Sequence, residues 1–168
     1  MSIEGLIQGC LETGLLFRVH PFLPIKLVRR IFVSKPIRDY LESDDERAFG
    51  LLGDLDSFIG GDIITTSIVP REARAAYMGL LHPTIDGVWD IRSRDPSPAL
   101  RLLGGFSRRD TFVGLVLYER RLMGDFFSKE WKFAISACKR EWARRFHLLK
   151  PITGDDLHVY LSNFSSVD

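Results

Sequence analysis

Cysteine is scarce in this chain, with only Cys10 and Cys138 in 168 residues and 128 positions between them. That spacing indicates no disulfide framework and forms no CxxC metal module. Two reduced thiols fit a cytoplasmic protein. Histidine is equally thin: His20, His82, His147 and His158 show no metal-ligand spacing, so no metal is expected. Gly60-Gly61 and Gly104-Gly105 lack the neighbours of a dinucleotide or P-loop motif, and no GxSxG nucleophile elbow occurs, so no cofactor is called for. Long apolar runs are missing too. The stretch from Gly14 to Val33 is broken by Arg18, His20, Pro21, Pro24, Lys26, Arg29 and Arg30, where a membrane span needs about 20 mostly apolar residues. Glu4 and Glu12 stand where a signal peptide carries basic residues. No membrane association is expected.

An excess of either charge is nearly absent overall: 23 basic side chains face 22 acidic ones, for a net +1. That balance hides an asymmetry. Residues 92–150 carry 14 basic and 6 acidic side chains, whereas residues 1–91 carry 9 and 13. A clustered positive field of this kind attracts phosphate-rich or acidic partners, or forms an arginine-rich solvated face.

The chain reads as an extension (1–30), an α+β domain (31–150) and an acidic tail (151–168). Ile31 to Val33 reads as a strand. Ser34 and Pro36 then open a short helix with Ile37, Tyr40 and Leu41 on one face. A second helix places Ala48, Leu51, Leu55 and Phe58 together and ends at Gly60-Gly61. Ile63 to Val69 is β-rich and suits a sheet edge. Pro70 to Tyr77 reads as a short helix. Three strands follow: Val88 to Arg92, Leu100 to Phe106 and Thr111 to Glu119, the last apolar on both faces and so central. Lys129 to Phe146 is the clearest helix, with Ser128 as its N-cap. Trp131, Ile135, Cys138, Trp142 and Phe146 form its core stripe. Phe133, Arg140 and Arg144 share the opposite face, which stacks on a nucleobase, anchors a partner or lies under the acidic tail. The expected fold is therefore α+β: an antiparallel meander sheet packed against two N-terminal helices, with an added C-terminal helix.

The motifs GVWDIRS, LRLLGGF and TFVGLVLYERR, with the loop LLHPTIDG before them, resemble the RelE/ParE superfamily of toxin–antitoxin toxins, closest in flavour to its HigB-like, phage-derived branch. The resemblance covers residues 31–121. It implies a metal-independent messenger-RNA endoribonuclease, possible contact with ribosome-associated RNA, and an antitoxin partner. It also implies site residues. Arg101 matches the strand arginine, Arg92 that of the W-x-x-R strand, and Arg120 and Arg121 fall where basic residues follow the last strand. Arg108, Arg109, Phe133, Arg140 and Arg144 would extend the RNA surface. The chain departs from the family in its size, its near-neutral balance and the lack of a His-Tyr or Lys-Lys pair after the last strand.

RNA cleavage of this type needs a base for the 2′-hydroxyl, a cation for the phosphate and an acid for the leaving oxygen. Arginine suits only the second task. Asp90 reads as a salt bridge orienting Arg92 or Arg101, Tyr118 as a sheet-face aromatic, and His158 and Tyr160 as remote tail groups. The alternative expectation is a non-catalytic module that binds an antitoxin-like protein or a topoisomerase.

Overall fold

The computed structural model describes residues 1–69 and 75–166. Ser2 opens the first helix by accepting the Gly5 N–H on its hydroxyl, and α1 runs Ile3–Glu12. The proline-rich stretch after it holds only a two-residue strand, β1 (Phe17–Arg18), before β2 (Arg30–Val33). Ser34 then turns the chain away from the sheet into α2 (Lys35–Leu41), with Pro36 in its first turn. Asp45 caps α3 (Glu46–Gly60) by accepting the Arg47 N–H. Gly61 stops that helix in a left-handed conformation (φ 81°), packed so closely on Val28 that a Cβ would stand 2.7 Å from it.

Two short strands follow, β3 (Ile64–Ser67) and β4 (Met78–Leu80). The helix expected at Pro70 to Tyr77 falls largely outside the described residues. Next come β5 (Trp89–Ser93), β6 (Leu100–Arg108) and β7 (Thr111–Glu119). Ser128 caps α4 (Lys129–Phe146), and the chain closes with β8 (Phe164–Ser166).

These strands form one eight-stranded sheet in the order β1-β2-β7-β6-β5-β4-β3-β8. The expected antiparallel meander on two N-terminal helices is therefore corrected. The sheet is mixed: β2 runs parallel to β7, and β3 runs parallel to both β4 and β8. Among the described residues four α-helices flank it, and α1, not α2, comes first. The parallel pairings of β2 with β7 and of β3 with β8 join segments far apart in sequence, which no local pattern announces.

The sheet is covered on both faces. On one side α2 and α3 bury Ile37, Leu51, Leu55 and Phe58 against Ile31, Trp89, Ile91 and Leu102. On the other, α1 and α4 bury Ile7, Trp131, Cys138 and Phe146 against Phe32, Leu103, Val113 and Leu115. The α3 side is knit by rings: Trp89, Phe106, Phe112 and Tyr160 meet edge-on at 4.8–5.6 Å. Such pairs add about 0.5–1.5 kcal/mol each beyond their burial. Tyr160 brings the acidic tail into this core, its hydroxyl donating to Gly154 O at 2.7 Å.

Candidate functional site

The strand alternation that buries Trp89 and Ile91 toward α3 turns Asp90 and Arg92 to the α4 side of β5. Arg92 stands directly opposite Arg101 of β6. Two like charges in register repel, and Asp90 answers both. Arg92 Nε lies 3.2 Å from each Asp90 oxygen, and Arg101 Nε lies 3.3 Å from Oδ2. The carboxylate is 1% exposed and the Arg92 side chain 7%. Arg101 also donates to Leu100 O at 3.2 Å. Burial, with repulsion from Arg92, Arg94 and Arg120, pulls the Arg101 guanidinium down to about 10 against the pull of Asp90. The two arginines do gather, but on an internal carboxylate.

The other expected residues are dispersed. Arg120 donates to Gly124 O at 2.9 Å and lies 5.7 Å from the Trp131 ring centroid, in a short 3-10 turn after β7. Arg121 is exposed and pairs with Glu119 at 2.7 Å. Arg108 sits at the far end of β6, seven residues and therefore about 23 Å along the strand from Arg101. There it pairs with Glu4 at 3.1 Å, and Arg109 is exposed in the turn beside it. Phe133 is 63% exposed on α4 with the Arg140 guanidinium 5.8 Å from its centroid, and Arg144 lies 3.9 Å from Glu141. The tail does not cover this face: Leu157, Tyr160 and Leu161 pack on the α3 side of the sheet.

Of the expected acid and base groups other than Asp90, only Tyr118 stands beside these arginines. Tyr118 stands opposite Arg101 with its hydroxyl pushed up by burial. Tyr160 is pushed up to about 12 by burial and faces the other core. His158 pairs with Asp156 at 3.0 Å on the exposed tail. Among the described residues no group of three His, Cys, Asp or Glu side chains converges to hold a metal, and no helix is long and apolar enough to cross a membrane.

Two features escaped the sequence reading. One is a pocket of about 230 Å³ lined by Asp54, Thr65, Tyr77, Arg92, Arg94 and Asp95. Burial raises the Asp54 carboxyl above its ordinary range, against a hydrogen bond from Ser93 and the attraction of Arg94, and the Tyr77 hydroxyl donates to Asp54 O. Asp54 is an ordinary polar position in the α3 pattern, so nothing local signals this.

The other is a groove of about 700 Å³ between α2, the second half of β7 and α4. Pro36, Ile37 and Tyr40 form one wall, Leu115 to Tyr118 the floor, and Ala137, Arg140 and Arg144 the opposite wall. It exists because β2 pairs with β7 only as far as Gly114, where Ser34 leaves the sheet. Ser34 Oγ donates to Leu115 O at 3.0 Å and seals the first carbonyl beyond the pairing.

No family model, no curated protein and no solved structure matches this chain.

Proposed function

We propose that the chain is a non-catalytic interaction protein that receives a partner protein in the groove between α2, β7 and α4. The observation that carries this reading is the Asp90 knot. The arginines best placed for a phosphate already share a buried carboxylate, so neither is open to an incoming anion. A ribonuclease would need Arg92 and Arg101 open to an incoming anion together with two proton-transfer groups. The groove, by contrast, is open, apolar along its α2 wall and basic along its α4 wall. The test is incubation of the full chain with messenger RNA and ribosomes, and its expression in growing cells. Intact RNA and undisturbed growth are expected. Specific cleavage that disappears in the Arg92→Lys, Arg101→Lys double variant, with the fold retained, would overturn the reading.

A second reading draws on the crowding of Arg92, Arg94 and Arg120 around Arg101. Arg92, Arg101 and Arg120 against the single Asp90 carboxylate leave a local excess that suits RNA phosphate, without cleavage. Such binding would weaken steeply with added salt, as counterion release requires.

A further inference from the structure

We propose that the open edge of β7 takes up an extended, acidic segment of a partner protein as an added strand. This rests on the reading of the chain as a protein-binding module and identifies what that module binds.

Strand edges carry unpaired N–H and C=O groups, and proteins ordinarily cover or blunt them. Here β7 pairs with β6 along its whole length, but with β2 only from Thr111 to Gly114. Past that point the β2 side of β7 faces the groove. Its polarity follows from two hydrogen bonds. Arg120 donates its main-chain N–H to Ala99 O, toward β6, so by alternation Leu117 and Glu119 turn their main-chain groups the other way. Leu115 O also points outward, where Ser34 holds it. The groove thus offers Leu117 as a two-sided hydrogen-bonding residue and Glu119 N–H beyond it. Residues 115–119 span about 17 Å, the length of a five-residue strand.

The walls specify what such a strand would carry. Val116 and Tyr118 pack on the α4 side, and Leu117 packs on the α2 side. A strand laid beside them would point alternate side chains at two different surfaces. One set meets Pro36, Ile37 and Tyr40, an apolar wall. The other meets Arg140 and Arg144 of α4. The charged residues lining the groove are Lys35, Arg140, Arg144 and Arg145 against the single carboxylate of Glu141. Glu141 is taken by Arg145, whose guanidinium also donates to Leu15 O, while Arg144 stays mostly exposed. Lys35 leans outward to Asp39 at 2.6 Å. The excess charge is positive, so the complement is acidic residues alternating with apolar ones. The described part of the chain's own acidic tail does not fill the groove, because it runs into β8 beside β3 at the far side of the sheet.

The test titrates the full chain with three fluorescein-labelled peptides: acetyl-EVTIEVTE-amide, its all-lysine counterpart KVTIKVTK, and the acidic peptide N-methylated at alternate residues. The acidic peptide is expected to bind at least about tenfold more tightly than either of the others, with binding weakened by salt. The Arg140→Glu, Arg144→Glu double variant, altered only at surface positions of α4, should lose about tenfold. Amide exchange at Leu117 should slow on binding. Equal binding of the N-methylated peptide would overturn strand addition, and equal binding of the lysine peptide would overturn the acidic preference. Sedimentation showing dimers that the double variant dissolves would give the groove to a second copy and overturn the partner assignment. RNA cleavage in the separate assay would remove the non-catalytic reading while leaving these peptide results to stand or fall alone.

Discussion

Arg92 and Arg101 face each other directly across the β5–β6 ladder, each with Nε within 3.3 Å of an Asp90 oxygen. One carboxylate therefore holds two cations in a nearly dry site. Removing one partner of a buried ion pair costs far more than the pair contributes, because the survivor keeps its desolvation penalty.

Asp90→Ala leaves two guanidiniums facing each other without an anion. It should lower unfolding free energy by about 3–5 kcal/mol, measured by urea denaturation, and Asp90→Asn should lose less. A loss below about 1 kcal/mol, the value of an exposed pair, would show that water reaches the knot.

Asp54 gives a pH signature. Burial raises its carboxyl in the folded chain, so the folded state holds the proton more tightly than the unfolded state. Stability from this group is complete below the unfolded value near 3.8 and is lost as pH rises through the higher folded value. Asp54→Asn should therefore be more stable than wild type at pH 7, with the advantage shrinking toward pH 4. Thermal midpoints across that range decide it, and a constant difference would refute the assignment.

Gly104 lies at the register shift where β6 and β7 slip by one residue, and a Cβ there would stand 2.0 Å from Val113 O. Gly104→Ala should push the two central strands apart and cost more than about 3 kcal/mol, as severe overpacking does. Ala at Gly53, where a Cβ meets nothing within 4 Å, should be tolerated. Comparing their urea midpoints checks the contrast.

Both thiols are buried and pushed up by desolvation, Cys138 to about 12. Thiolate is the reactive species. The native chain should resist iodoacetamide at pH 8 and take up two labels only when unfolded, read by mass spectrometry. Rapid native labelling would place either thiol at the surface.

Much of this architecture was legible in local pattern. The stripe from Trp131 to Phe146, the Ser34-Pro36 start and the Gly60-Gly61 stop mark helices that the chain forms. The apolar faces of Thr111 to Glu119 told of a central strand because both cores need it. The pairing of Asp90 with arginine followed from the two-residue spacing to Arg92. What stayed hidden depends on distant partners. Arg30 to Val33 pairs with a strand some 80 residues on, and Phe164 to Ser166 with one a hundred residues back. Arg108 reads like Arg101 in sequence, yet strand length alone carries it to the opposite end of β6. The groove was invisible for the same reason, since it arises where a parallel neighbour stops short.

The outer strands, β1 of two residues and β8 of three, are stubs that offer little for another sheet to extend. The unpaired stretch of β7 lies inside the sheet, between α2 on one face and α4 on the other. The stretch from Leu115 to Glu119 has room for a single extended segment, so association should saturate at one guest per molecule.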